Sequence, residues 1–232
     1  MLIWQNERYR LFQIKCWGYN CYLLQCGENN ILIDTGLKWV RGMLRRRLRR
    51  LNIDTLAAVV LTHYHSDHAG NAAYIAREFG CPVYASPEFA DWLRRGECQM
   101  PRSNSVSAWI VNRLSRGFGF IHWDCFDPIE DVWNIEELLA MGMLGDGAEV
   151  RALTAHTDDS ICLVIDKSAA IVGDAFVYYP PLGNVMLPWA DHPERIADSW
   201  RELLNWGCGV YCQGHGTPVS QKVLAKVVRK LG

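Results

Sequence analysis

The chain has 232 residues, enough for one large α/β domain with a buried core or two small ones. Half of it is hydrophobic, 21% is charged and the formal net charge is −1, so the overall balance recruits neither nucleic acid nor an acidic membrane surface. No run of 18 apolar residues occurs, which excludes a membrane-spanning helix, and Glu7, Arg8 and Arg10 interrupt any export-signal core.

In chain order, RLFQIKCW, NCYLLQC and NILIDTG read as strands separated by turns at Gly18-Tyr19-Asn20 and Gly27-Glu28-Asn29. A helix is predicted from about Trp39 to Leu51, with Val40, Leu44, Leu48 and Leu51 as its apolar stripe. Arg41, Arg45, Arg46, Arg47, Arg49 and Arg50 crowd the same helix; a solvated outer face is the plainer reading, an anion site the alternative. AAVVLT (57–62) suits a buried strand, and a helix from Ala69 to Phe79 should stop at Gly80. After strand PVYAS (82–86), the stretch 87–147 reads as a partly helical insertion, with helices near 105–116 and 134–141. Its Trp92, Trp109, Trp123 and Trp133 suit a pocket wall or the core. Strands resume with EVRALTA, SICLVID and SAAIVGDA. A helix from Pro193 to Trp206, strand GVYC and a helix from about Val219 follow. Two blocks of strands, each accompanied by helices, imply two packed sheets with helices outside.

The nine cysteines contain no C-x-x-C pair and sit mostly in apolar runs, as Cys21 and Cys162 do, so they read as reduced, buried thiols. Cys208 and Cys212 lie near a histidine, but their spacing fits no usual zinc pattern.

The chemistry concentrates in Thr62-His63-Tyr64-His65-Ser66-Asp67-His68, between a buried strand and a helix. His63 and His65 fall on one side of extended backbone, while Asp67 and His68 enter the first helical turn and face a second position. Imidazole and carboxylate together are the donor set of zinc, iron or manganese centres. Three further donors stand at strand ends: His156, Asp174 and His215. Gly173, Gly214 and Gly216 permit tight backbone near them. Seven donors divide into two sites with one shared carboxylate. His192, before Pro193, reads as a helix-entry residue, and His122 could touch substrate.

HYHSDH, the later His156, Gly173-Asp174, Gly214-His215 and the opening ILIDTG together resemble the metallo-β-lactamase superfamily, over most of the chain. The resemblance implies a single domain over 1–232, an α/β four-layer αβ/βα sandwich of two mixed β-sheets flanked by helices, with metals at one edge. It implies a first metal on His63, His65 and His156, and a second on Asp67, His68 and His215, with Asp174 bridging. Asp34 would brace the metal loops. Two zinc ions per chain are expected, with iron or manganese as alternatives. A bridging water acidified towards about pH 7 would then attack a small ester, thioester or lactone. Asp67 would orient that nucleophile, and Tyr178 or Tyr179 could donate to the oxyanion. A mono-iron oxidoreductase acting on persulfides, a phosphodiesterase and a non-enzymatic metal-binding sensor are the competing readings. Only 17 residues follow His215, which argues against thioesterases carrying a helical glutathione-binding domain there. A cytoplasmic enzyme with a small-molecule substrate is expected.

Overall fold

The computed structural model describes residues 1–99, 102–106, 108–110, 113, 126–180 and 185–230. A seven-stranded sheet runs in the order β1 (Leu2–Gln5), β2 (Tyr9–Cys16), β3 (Tyr19–Cys26), β4 (Asn29–Ile33), β5 (Ala58–Val60), β6 (Val83–Ala85) and β7 (Val132–Asn134). Its first four strands pair antiparallel and the last four parallel. The second sheet takes its five strands from β8 (Ala148–Ala152), β9 (Ile161–Ile165), β10 (Ala169–Gly173), β13 (Val210–Gln213) and β14 (Val219–Ser220). Between β10 and β13 lies a small two-stranded sheet of β11 (Val177–Tyr178) and β12 (Val185–Met186).

The four-layer sandwich follows from the two-residue period of the strands. Leu23, Leu32 and Val59 face one way, onto Leu44, Leu48 and Ile75 of the helices α1 (Arg41–Arg50) and α3 (Ala72–Phe79). Their neighbours Tyr22, Leu24, Ile31, Ile33, Ala58 and Val60 face the other way, onto Ile161, Leu163, Ile165, Ala169 and Ile171 of the second sheet. Cys162, Val164, Ala170 and Val172 then turn outward, onto Trp200 and Leu203 of α6 (Ile196–Asn205) and Leu224 of α7 (Gln221–Val228). Strands buried on both faces carry no polar alternation, which is why the central ones read as continuous apolar runs.

Three differences from the sequence reading have clear causes. The helix predicted from Ala69 to Phe79 is two pieces, α2 (Ser66–Ala69) and α3, broken at Gly70-Asn71. The Asn71 amide donates to the carbonyls of Thr35, Gly36 and Leu37 at 2.9, 3.2 and 2.7 Å, and a continuous helix would forfeit those bonds. Secondly, β7 and the helix after it, α5 (Ile135–Ala140), lie within the stretch read as an insertion, yet β7 completes the first sheet. Between β6 and β7 is another short helix, α4 (Ala90–Arg95). Thirdly, the last helix starts at Gln221, because Val219 and Ser220 pair with β13. Part of the helix predicted at 105–116, with His122 and Trp123, lies outside the described residues.

The arginines of α1 are partly engaged. Arg41 reaches Asn71 Oδ1 and Asp127 and lies 4.1 Å over the Tyr74 ring, and Arg45 pairs with Glu78 at 2.5 Å. Cys16, Cys21, Cys26, Cys81, Cys162, Cys208 and Cys212 are free thiols. Among the described residues, no helix is long and apolar enough to cross a membrane.

Asn71→Ala leaves three buried carbonyls without their donor. Urea denaturation of the metal-free protein should show a loss of about 1–3 kcal/mol or more.

Candidate metal centre

The centre forms where strands from both sheets end. Asp34 follows β4 and Thr62-His63 follow β5, in the parallel part of the first sheet; Asp174 and His215 follow β10 and β13, the parallel pair of the second. Backbone bonds join the two edges. Ile161 N–H donates to Thr62 O and Asn20 N–H to Gly214 O, while Gly214 N–H to Gly173 O joins the two donor-bearing strand ends of the second sheet. The buried side chains of Asn20 and Tyr22 both donate to Gln213 O.

The seven donors expected from the sequence converge in two adjoining groups. His63, His65 and His156 form one; Asp67, His68, Asp174 and His215 form the other. Within each, the donor atoms lie within 4.8 Å of one another. Asp174 touches both groups: Oδ2 is 3.3 Å from His215 Nε2 and 3.9 Å from His156 Nε2, and Oδ1 is 3.4 Å from His68 Nε2. Neither group includes a cysteine.

Surrounding acceptors set the imidazole tautomers. His156 Nδ1 faces Trp189 O at 2.9 Å, His68 Nδ1 faces Asp34 Oδ2 at 2.8 Å and His215 Nδ1 faces Gly18 O at 3.2 Å. Each of these Nδ1 atoms therefore carries the proton, which leaves the Nε2 lone pair for the centre. The Thr62 hydroxyl donates to Asp34 Oδ2, so it accepts from His63 Nδ1 at 3.1 Å and the same tautomer results. His65 is reversed, with Nδ1 lying 3.0 Å from His156 Nε2. The buried His63 Nε2, His68 Nε2 and Asp174 Oδ1 make no hydrogen bond. Orphaned inward lone pairs beside buried carboxylates are costly unless a cation fills the space between them, so the donor set fits metal ions.

Ionisation fits as well. Burial holds His63 well below the usual histidine range and His65 at about 3, and it also lowers His156, so these rings keep their lone pairs at neutral pH. Burial acts against the charge on Asp67 and Asp174, but His68 and His215 outweigh it. Asp67 is held at about 2 and Asp174 well below its ordinary value. The same attraction raises His68, chiefly through Asp34, and His215, chiefly through Asp174, against burial. Without metal, His68 and His215 are thereby drawn towards a second proton at Nε2, and a bound cation would displace that proton and take up the lone pair.

Asp34 braces the loops as expected. Its two oxygens accept from Thr62 N–H, Thr62 Oγ1 and His68 Nδ1, all at 2.8 Å, and its own backbone is left-handed, at φ 58°. Gly214 is required by space: a Cβ there would run into Asp174 Oδ1 and His68 Cε1.

Tyr178 and Tyr179 are placed differently from each other. Tyr178 packs against the outer core, and its carbonyl receives Thr217 N–H behind the His215 loop. Tyr179 is exposed, within electrostatic reach of Tyr19. His192 begins the turn into α6, as expected, and meets Asp158 at 2.8 Å.

Sequence reasoning missed several supports. The carbonyl of Trp189 orients His156, and its segment is held by residues 102–104 through the Ser103–Trp189 bridge and by Asn104 donating to Leu187 O and Pro188 O. Asp159, which accepts from Thr157 Oγ1 and the Tyr64 backbone N–H, ties the His156 loop to the first histidines. No motif marks either support, because one works through a backbone carbonyl and the other is a single carboxylate.

The metallo-β-lactamase superfamily model matches residues 14–215. The chain belongs to that superfamily. It is 25% identical over 225 residues to an atrochrysone carboxyl ACP thioesterase of Aspergillus fumigatus, covering 94% of this chain and 58% of that one. Over 210 residues it is 26% identical to a hydroxyacylglutathione hydrolase of Haemophilus influenzae, covering 89% of this chain and 90% of the relative. The chain thus spans little more than half of the first relative and nearly all of the second. Among solved structures, an archaeal metallo-β-lactamase superfamily protein from Sulfolobus tokodaii aligns with TM-score 0.64 at 20% identity, covering 95% of this chain and 85% of that one. A protein solved in a di-iron-bound form aligns with TM-score 0.65 at 22% identity, covering 93% and 96%. These likenesses agree with the sandwich of two mixed sheets described above.

Asp34→Ala should lower metal affinity about 10–100-fold while the fold persists, measured by competition with a chromophoric chelator and by circular dichroism. Asp159 gives a pH signature. Burial pushes its carboxyl up to about 7, above the unfolded value of about 4. Between those values the folded state holds a proton that the unfolded state has released, so this group's contribution to stability falls as pH rises and is constant above about 8. Relative to wild type, metal-free Asp159→Asn should gain stability from about pH 4 to 7 and then level off, in urea titrations across that range.

Proposed function

We propose that the protein is a hydrolase with two metal sites, acting on a small ester, thioester or lactone. The enzyme class is that of a metal-dependent hydrolase. The observation that carries the reading is the convergence of seven buried or half-buried donors, with tautomers fixed so that unpartnered lone pairs face one space. In this reading His63, His65 and His156 hold the first metal, Asp67, His68 and His215 hold the second, and Asp174 lies between them. The nitrogen and oxygen donors favour zinc and also accept iron or manganese. The names of the two curated relatives, a thioesterase and a hydroxyacylglutathione hydrolase, support an acyl-transfer substrate.

Bound divalent ions supply Lewis acidity and water acidified to near neutrality. The protein's own groups do the rest. Asp67 is held ionised by His68 and His215, with Oδ2 3.1 Å from His215 Nε2, so its carboxylate would help hold the second metal and orient the attacking water. His68 and His215 are fixed through Asp34 and Gly18 O, so the donor geometry needs little rearrangement as charge develops. Of the two tyrosines expected as oxyanion donors, Tyr179 is the better placed, because Tyr178 is committed to the core.

The completeness of the second donor group favours this reading over a mono-iron oxidoreductase. Protein purified without added metal or chelator should carry about two zinc ions per chain by mass spectrometry. Asp67→Asn and Asp174→Ala should each lower kcat on S-acyl thioesters at least about 100-fold. Unchanged turnover in either variant overturns the assignment, and about one iron per chain moves the oxidoreductase to first place.

A further inference from the structure

The rim beside His215 carries a feature the chemistry above does not use. Trp17 is 69% exposed and Trp39 57%, and their rings meet edge to face at 5.2 Å. Trp39 meets Tyr19 at 6.2 Å, and Tyr19 meets the His215 ring at 5.5 Å, both near perpendicular. An unbroken series of rings thus leads from solvent to a side chain of the metal centre. Both tryptophans come from segments anchored at that centre. Trp17 is at the tip of the β2–β3 hairpin, where Gly18 O meets His215 Nδ1, and Trp39 lies in the short turn after the Asp34 loop.

The backbone adds an independent sign. Cys16 pairs with Tyr19, so the hairpin loop is two residues long, and Trp17 takes the positive φ of 61° there. Glycine, asparagine or aspartate would occupy that seat at less cost. A strained backbone that holds a large apolar ring in water, at the edge of a site, is not explained by folding. Lys38, next to Trp39, is neutralised by Asp127 at 2.8 Å.

We propose that Trp17, Trp39 and Tyr19 form a ledge that binds the aromatic acyl part of the substrate, making aryl esters and thioesters the preferred class. This rests on the hydrolase reading for its chemistry, but the ledge itself is a binding surface. Rings already packed edge to face offer a further ring the same geometry, whereas an alkyl chain gains only contact area. Continuity with His215 assigns the ledge to the substrate rather than to a partner protein.

Zinc-loaded wild type, Trp17→Ala, Trp39→Ala and the double variant would be assayed on the 2-naphthoyl and acetyl thioesters of one thiol. The naphthoyl-to-acetyl ratio of kcat/KM should fall about tenfold in each single variant and further in the double variant, with Trp39→Phe retaining most of it. In parallel, saturable quenching of tryptophan fluorescence by 2-naphthoate would be followed on the metal-free proteins and should be lost in the double variant. If neither thioester is hydrolysed but that binding is present and lost as expected, the hydrolase reading fails and the ledge stands. If the acetyl thioester is hydrolysed while naphthoate does not bind and the ratio does not move, the ledge is wrong and the hydrolase reading stands. A wild-type dimer that dissociates in the double variant gives this face to a second copy and overturns the proposal.

Discussion

The arrangement of the donor loops depends most on one buried carboxylate. Asp34 leaves the end of β4 in a left-handed turn and is almost fully enclosed, yet both its oxygens are occupied. Through Thr62 it fixes the loop that carries His63, and through His68 Nδ1 it sets the tautomer of a ring in the second donor group. A buried charge satisfied in this way rigidifies whatever it touches, because losing any one partner leaves the charge exposed to a low-dielectric interior. Asn71 extends the same control: its amide ties the Asp34 loop to the start of α3, and its oxygen meets Arg41 of α1. The helix layer, the first sheet and the donor loop are therefore joined by polar contacts as well as by packing.

The second sheet enters through backbone. Gly214 N–H to Gly173 O holds the two donor-bearing strand ends in register, and Asn20 and Tyr22 reach across from the first sheet to Gln213 O. Apolar packing between the sheets brings the edges together, but it is non-directional and could not align seven donors. Directional bonds concentrated at this edge do so, and Gly214 leaves room for Asp174 and His68 to approach.

Much of this was legible beforehand. Continuous apolar runs make strands such as NCYLLQC and SICLVID readable, and glycine at strand ends marks where Asp174 and His215 turn inward. The two donor groups could be read because metal ligands must be few in chemical type and placed at strand ends. Breaks and additions set by distant partners were not legible. The interruption at Gly70-Asn71 depends on carbonyls over thirty residues earlier, and β7 pairs with β6 across nearly fifty residues that give no strand pattern. Trp189 acts on His156 through its carbonyl, which every residue possesses, so no side-chain motif could reveal it.

Charge accounts for why such a centre is built deep in the fold. Three rings are kept neutral by burial, while two others are pulled towards protonation by Asp34, Asp67 and Asp174. Without a cation the second group can lessen its carboxylate charge only by holding protons, and the first group has none to hold. Divalent ions held there would neutralise the carboxylates, accept the orphaned lone pairs and make the protons unnecessary. Binding free energy of this kind adds to folding free energy, since the unfolded chain offers no such arrangement. The buried polar edge, unfavourable as an empty cluster, thereby becomes the part of the molecule most strongly coupled to its ligand.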